Sequence, residues 1–216
     1  MKEALYAMAG DTFFTHSSTL LGRLIRWGET DPGEAKDTWA NHTGVVVQSG
    51  WIGGCPGFDA LGPREGVQAV VIEALGHVRR CPLDVSKIEV RVFRPIPAYT
   101  AAELGKFTLT AESYVGATYG WWKLLFQLAD RQFFKGKKVL TTALHLDSRP
   151  ICSYLAGRVN QWAQSKERII ARVSAHVNRD DNGSAYYSFG MPPQAADPDE
   201  MMDYALANPT EWQEIR

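Results

Sequence analysis

A cysteine, a histidine and a glutamate stand at positions of this chain where they could carry out nucleophilic chemistry. Cys152 follows Pro150 by two residues, in the first turn of a predicted helix over residues 151–162. A thiol attacks as its thiolate, and the unpaired N–H groups and dipole of a helix N-terminus lower its pKa. The same amides could form half of an oxyanion hole. The pattern predicts a cysteine nucleophile; the alternative is a small buried residue that packs the helix.

His42 is the predicted general base for this thiol. It lies at the start of a β-branched run over residues 41–48, which predicts a strand and therefore a rigid mount. Gly44 would let another backbone or a substrate approach closely. The other four histidines fall in predicted loops, turns or a helix flank. The alternative is a histidine that only caps the rim of the sheet.

Glu73 is the predicted third member of the group. It interrupts an otherwise apolar predicted strand over residues 68–74, where a carboxylate is unfavourable unless it is paired. If this strand neighbours the one that begins near His42, Glu73 would hold the imidazole in one tautomer. The alternative is a carboxylate at the strand end that faces water. Asn41 and His77 are reserve candidates for the same role.

The elements that must position these residues predict an α+β fold, in which a small antiparallel sheet packs against helices. The predicted strands cover residues 41–48, 68–74 and 87–93, with a turn and a short strand over 8–15; the predicted helices cover residues 20–27, 101–114, 121–134 and 151–162, with a short one after 197–200. Residues 49–66 hold six glycines and two prolines and are predicted to form a surface loop, as are residues 177–199. No repeat or linker is visible, so a single domain over residues 1–216 is expected.

The composition excludes several classes of function. Lys and Arg number 23 against 24 Asp and Glu, so the chain lacks the field that attracts a phosphate backbone, and nucleic acid is not an expected partner. No apolar run is long enough to span a bilayer, and the first residues do not form a secretory signal. A cytoplasmic location is expected, with release by lysis or carriage on a phage particle as the other routes. Three cysteines without a C-x-x-C pair predict neither a disulfide framework nor zinc, and no cofactor is expected.

Four further residues are candidates for contact with a substrate. Tyr119 belongs to an aromatic cluster that could line a groove, although such residues at a helix start also form cores. Asp11, after Gly10, could bring a carboxylate to the site or simply make a turn. Ser153 and Tyr154, which follow Cys152, complete the predicted substrate-binding set.

A series of short motifs, taken in order, resembles one family. The motifs are Ala9-Gly10-Asp11, Ser17-Ser18 before Gly22-Arg23-Leu24-Ile25-Arg26, Asn41-His42-Thr43-Gly44-Val45-Val46, Val71-Ile72-Glu73-Ala74, the turn from Gly116 to Tyr119, Ile151-Cys152-Ser153 and Pro198-Asp199-Glu200-Met201-Met202. They are similar to those of the permuted papain-like amidases of the YiiX/YaeF type, relatives of the NlpC-type cell-wall peptidases. The resemblance covers nearly the whole chain.

The resemblance implies a circularly permuted papain-like fold and a cysteine hydrolase acting on a peptide or other amide, or on an ester. Cys152 would be its nucleophile, His42 its base and Glu73 its orienting residue. The histidine precedes the cysteine here, which a geometric triad permits. Tyr154 departs from the family, which usually has an acidic residue there, and this bears on substrate preference. The alternatives are a non-catalytic binding module and a thiol acyltransferase that resembles the lecithin:retinol acyltransferase group.

Overall fold

The structure, a computed structural model, describes residues 5–18, 23, 39–52, 68–83, 88–120, 125, 129, 151–176, 187–193 and 196–215. Its strands are β1 (Leu5–Ala7), β2 (Thr12–Ser17), β3 (His42–Gln48), β4 (Gly50–Ile52), β5 (Val70–Leu75), β6 (His77–Pro82), β7 (Ile88–Pro95) and β8 (Trp212–Ile215). Its helices are α1 (Ala101–Glu112), α2 (Cys152–Ala163), α3 (Lys166–His176) and α4 (Pro198–Ala207). The predicted α+β class is confirmed.

Six strands form one antiparallel sheet in the order β6-β5-β3-β2-β7-β8, and β1 pairs with β4 in a separate two-stranded sheet. β5 lies between β3 and β6, and its side chains enter a core on each side of the sheet, which explains why its sequence is apolar on both faces. β6 is the last strand at one end of the sheet within the described part of the chain. On its outer side the backbone of Val78 exchanges hydrogen bonds with Gly116 and Ala117.

α1, α2 and α4 pack on one face of the large sheet, and the two-stranded sheet packs on the other. The helix side holds the main core, to which the sheet contributes side chains such as Phe14, Val45 and Ile72. A second core contains Phe13, Val46 and Val71 together with residues of β1 and β4. α2 packs against both β3 and β5, so central strands of the sheet hold this helix in place.

Gly44 is a glycine because a neighbouring ring occupies the space of its side chain. An added Cβ would lie 2.6 Å from Cζ of Phe13 and 2.8 Å from the backbone oxygen of Ile72. Phe13 is opposite Gly44 on β2, and its ring meets the His42 ring edge to face at 6.2 Å. The glycine thus allows the aromatic ring to support the histidine.

Gly44→Ala is expected to lower the free energy of unfolding by about 1–3 kcal/mol, since the methyl group would overpack a site bounded by backbone. Urea denaturation measures this change. Gly105→Ala is the matched control: it is exposed within α1 with no atom within 4 Å of the added Cβ, so a gain of about 0.5–1 kcal/mol is expected. Equal effects of the two substitutions would contradict the argument.

The described residues confirm the predicted strands in β2, β3, β5 and β7 and the predicted helices in α1, α2 and α4. The prediction of a loop over 49–66 is wrong at its start, because Gly50–Ile52 pairs with β1 to form β4. β1, β6, α3 and β8 were not predicted. The helices predicted over 20–27 and 121–134 lie outside the described residues except at single positions, as do residues 53–66 and 177–186. The single domain stays a prediction.

Candidate active site

Within the described residues, the N-terminus of α2 has no side-chain cap. The N-cap residue Ile151 is extended and makes no side-chain capping hydrogen bond, whereas Thr100 caps α1 and Asp197 caps α4. The first intrahelical bond runs from the N–H of Leu155 to the carbonyl of Ile151. The N–H groups of the first turn are consequently available to another acceptor. Since the helix begins at Cys152, Pro150 precedes the N-cap and is not at the predicted first-turn position.

Cys152 uses these donors. It is 5% exposed, and its sulfur interacts with the His42 side chain and with the backbone N–H groups of Thr43 and Ser153. Burial by itself raises the pKa of the thiol, but the hydrogen bond and charge of His42 and the two amides together bring the pKa below its ordinary value. The site therefore stabilises the thiolate relative to that of an ordinary cysteine.

His42 lies between the thiol and a carboxylate. Its Nε2 is 2.9 Å from Oε2 of Glu73, and its side chain also forms a hydrogen bond with Cys152. Burial lowers the pKa of His42, but the hydrogen bonds and charges of Cys152 and Glu73 raise it by a larger amount. The resulting pKa is about 10, above the ordinary value of 6.5. The imidazolium is therefore the form that this site stabilises at neutral pH, and the side chain is only 15% exposed.

A row of residues across neighbouring strands positions the histidine and the carboxylate. Phe13 on β2 pairs with Gly44 on β3, Gly44 pairs with Glu73 on β5, and Glu73 pairs with Arg79 on β6. His42 is two residues before Gly44 and therefore lies on the same face of the sheet, diagonal to Glu73. The sheet register alone brings the imidazole and carboxylate together.

The second oxygen of Glu73 is held by β6. Oε1 accepts hydrogen bonds from Nε and Nη2 of Arg79, at 2.9 and 2.6 Å, and from Sγ of Cys81 at 3.5 Å. Burial raises the pKa of Glu73, but His42 and then Arg79 outweigh it and lower the pKa to about 2. Burial and the charge of Glu73 raise the pKa of Cys81 to about 11, so this thiol is a proton donor at neutral pH.

The structure does not bring Asp11 to this group. β2 runs antiparallel to β3 with Thr15 opposite His42, so Asp11 is beyond the far end of the paired segment. Its carboxylate is buried and accepts two 2.8 Å hydrogen bonds from Arg94 and one from the N–H of Met8. Asp11 makes the turn before β2, which is the alternative that its sequence position allowed.

The remaining substrate-binding candidates are buried. Tyr119 is in the main core, and its backbone N–H donates to Gly76 in the turn between β5 and β6. Tyr154 is in the same core and meets Tyr114 edge to face at 6.5 Å. Ser153 is fully buried, and among the described residues its hydroxyl has no hydrogen-bond partner, while its backbone amide faces the thiol.

The reserve candidates are both engaged elsewhere. Asn41 exchanges hydrogen bonds with the backbone of Ser17 at the end of β2. His77 is exposed at the start of β6 and pairs with Leu75 across the turn. Glu73, not either of these, contacts the imidazole of His42.

Sequence reasoning missed Arg79 and the amide of Thr43. Arg79 follows Glu73 across a turn at Gly76, whose positive φ of 79° is typical of a tight hairpin. A hairpin predicted from a strand on each side of Gly76 would have placed Arg79 opposite Glu73. A backbone amide carries no residue-type signal, so the Thr43 contact was visible only in three dimensions.

No group of three or more His, Cys, Asp or Glu side chains in the described ranges is placed to hold a metal ion. None of the helices in those ranges has the length and apolarity needed to cross a membrane.

The protein has an α+β fold, and in its candidate site the imidazole of His42 forms hydrogen bonds with both the thiol of Cys152 and the carboxylate of Glu73. The chain matches no protein-family model and no curated protein. Among solved structures it is similar to the metalloprotein YiiX from Escherichia coli O157:H7, with 22% sequence identity and a TM-score of 0.44. The match covers 72% of this chain and 66% of the YiiX chain, slightly under two thirds of that protein. YiiX is of the type that the sequence motifs resemble; the similarity assigns no role to any residue of this chain.

Proposed function

We propose that the chain is a cysteine hydrolase in which Cys152, His42 and Glu73 act as nucleophile, general acid–base and orienting carboxylate. The observation that supports this is the contact of the Cys152 sulfur with the His42 side chain at a helix N-terminus that has no side-chain cap. A buried thiol next to a buried imidazolium is the arrangement that makes a cysteine reactive at neutral pH. The order of histidine before cysteine, with the thiol on a helix and the base on a strand, agrees with a permuted papain-like fold.

In the proposed reaction the Cys152 thiolate attacks the carbonyl carbon of an amide. First-turn amides of α2 donate to the oxygen as negative charge develops on it. His42 gives its proton to the leaving amine as the carbon–nitrogen bond breaks, which leaves a thioester and a neutral imidazole. His42 then takes a proton from water, hydroxide attacks the thioester, and the thiolate leaves. The net reaction is amide plus water to carboxylic acid plus amine.

The substrate class follows from the resemblance of the motifs and is a peptide amide such as a cell-wall stem peptide. An ester would react by the same steps, with an alcohol as leaving group. An acyltransferase differs only in the acceptor, which would be an amine or alcohol in place of water. Hydrolysis with and without added acceptor therefore separates these two activities.

The test is hydrolysis of stem peptides and model amides by the wild-type protein and by Cys152→Ala. Loss of the nucleophile is expected to lower the rate by about 10⁴-fold or more, as for other enzymes whose nucleophile and base act as a unit. Iodoacetamide labelling, mapped by peptide mass spectrometry, should modify Cys152 before Cys81, whose thiol is protonated. A Cys152→Ala protein with full activity would end the proposal. An ordinary thiol in the wild type would favour a binding module.

A further inference from the structure

Arg79 is the group outside Cys152, His42 and Glu73 that makes the closest contacts with them. It lies on β6 directly opposite Glu73, and Nε and Nη2 both donate to Oε1. The His42 contact uses the other oxygen, Oε2, at 2.9 Å. The two oxygens of one carboxylate are thus divided between a fixed cation and the imidazole.

We infer that Arg79 is a positioning residue for the proposed hydrolase, which fixes the Glu73 carboxylate so that Oε2 is aimed at His42. The inference rests on the proposed function and adds a fourth strand, β6, to the elements that build the site. A Glu side chain has three rotatable bonds, and a single contact at Oε2 would leave its other oxygen free to rotate. The rigid donor fork of arginine removes that freedom.

The charge of Arg79 has a second effect. The side chain of Glu73 is only 7% exposed. Because burial disfavours the charged form, an isolated carboxylate at this position would tend to take up a proton. The titratable groups that face it in the described structure are His42 on β3 and Arg79 and Cys81 on β6. Arg79 is the one permanent cation of the three, so it keeps Glu73 ionised even when His42 is neutral during the reaction.

The sequence offers a matched control next to this residue. Arg80 points to the other face of β6, where it lies 3.4 Å from Glu112 and 3.5 Å from Gln48. Its side chain is 48% exposed, close to the 43% of Arg79. Arg80→Gln removes the same charge from the same strand without touching Glu73.

The experiment compares Arg79→Gln, Arg79→Lys and Arg80→Gln in the full chain. In Arg79→Gln the pKa of Glu73, followed by carboxylate ¹³C NMR, is expected to rise by about one unit or more. Because Oε2 would no longer be held toward His42, kcat should fall about 10- to 100-fold with KM nearly unchanged. Arg79→Lys keeps the charge, and with it the pKa of Glu73, but loses the fork, so only kcat should fall. Arg80→Gln should behave as wild type.

Two results would overturn the inference: an Arg79→Gln protein with the wild-type kcat and the wild-type pKa of Glu73, or the same changes in Arg80→Gln. Either result, together with a reactive Cys152 in the wild type, would reject the positioning role of Arg79 and would not contradict the proposed hydrolase. An unreactive wild-type thiol rejects the hydrolase itself. If Arg79→Gln does not fold, Arg79→Lys decides the question: a lowered kcat with an unchanged pKa of Glu73 supports the inference, and a wild-type kcat overturns it.

Discussion

His42→Ala is expected to slow the alkylation of Cys152 at pH 7 by about 100-fold or more. The ordinary pKa of the thiol is 9.0, which corresponds to about 1% thiolate at pH 7. In the folded protein His42 is the largest influence that lowers this pKa, while burial raises it. Without the imidazole the buried thiol should therefore be protonated. The rate is measured with iodoacetamide under pseudo-first-order conditions.

His77→Ala is the control for this measurement. His77 is an exposed histidine at the start of β6, and its removal should leave the rate unchanged. A wild-type rate in His42→Ala would mean that the helix N-terminus and the amides of Thr43 and Ser153 activate the thiol alone.

The pH profiles of alkylation and hydrolysis are expected to separate at high pH. Both should rise from the acid side at a pH below 9.0, because the pKa of Cys152 is lowered. Hydrolysis should then fall as pH passes about 10, where His42 loses the proton that the leaving amine needs. Alkylation needs only the thiolate and should stay high. Parallel profiles that both begin near pH 9 would contradict an ion pair between the two side chains.

The same ionisations predict how stability depends on pH. The pKa of His42 is raised from 6.5 to about 10, so its contribution is complete below pH 6.5 and is lost as pH rises through about 10. The pKa of Glu73 is lowered from 4.5 to about 2, so its contribution is complete above pH 4.5 and is lost as pH falls toward 2. Urea unfolding of wild type and Cys152→Ala across this range should show a smaller alkaline loss in the variant, in which His42 lacks its thiolate.

The candidate site was predictable from the sequence where residue type and strand pattern carried the information. Glu73 was conspicuous because a charge interrupts an apolar strand, and His42 because it begins a β-branched run. The sequence argument required the strands of His42 and Glu73 to be neighbours, and in the structure β3 does pair with β5. The chemical roles of the three residues stay predictions.

The sequence could not predict features that depend on distant parts of the chain. Asp11 accepts two hydrogen bonds from Arg94, on a strand far away in sequence, and no local pattern distinguishes this from a carboxylate in a site. The charged sequence of β6 resembles a loop because an edge strand buries little surface. The short strands β4 and β8 depend on their partners in β1 and β7 and have no signal of their own.

The alignment of Phe13, Gly44, Glu73 and Arg79 across four strands ties the chemistry to correct folding. In a sheet, a shift of one residue turns every side chain to the opposite face. A misaligned or frayed β3 would therefore separate the imidazole from the carboxylate, even in a species with nearly normal secondary structure. Fast labelling of Cys152 should accordingly mark correctly assembled molecules during refolding and distinguish them from collapsed intermediates.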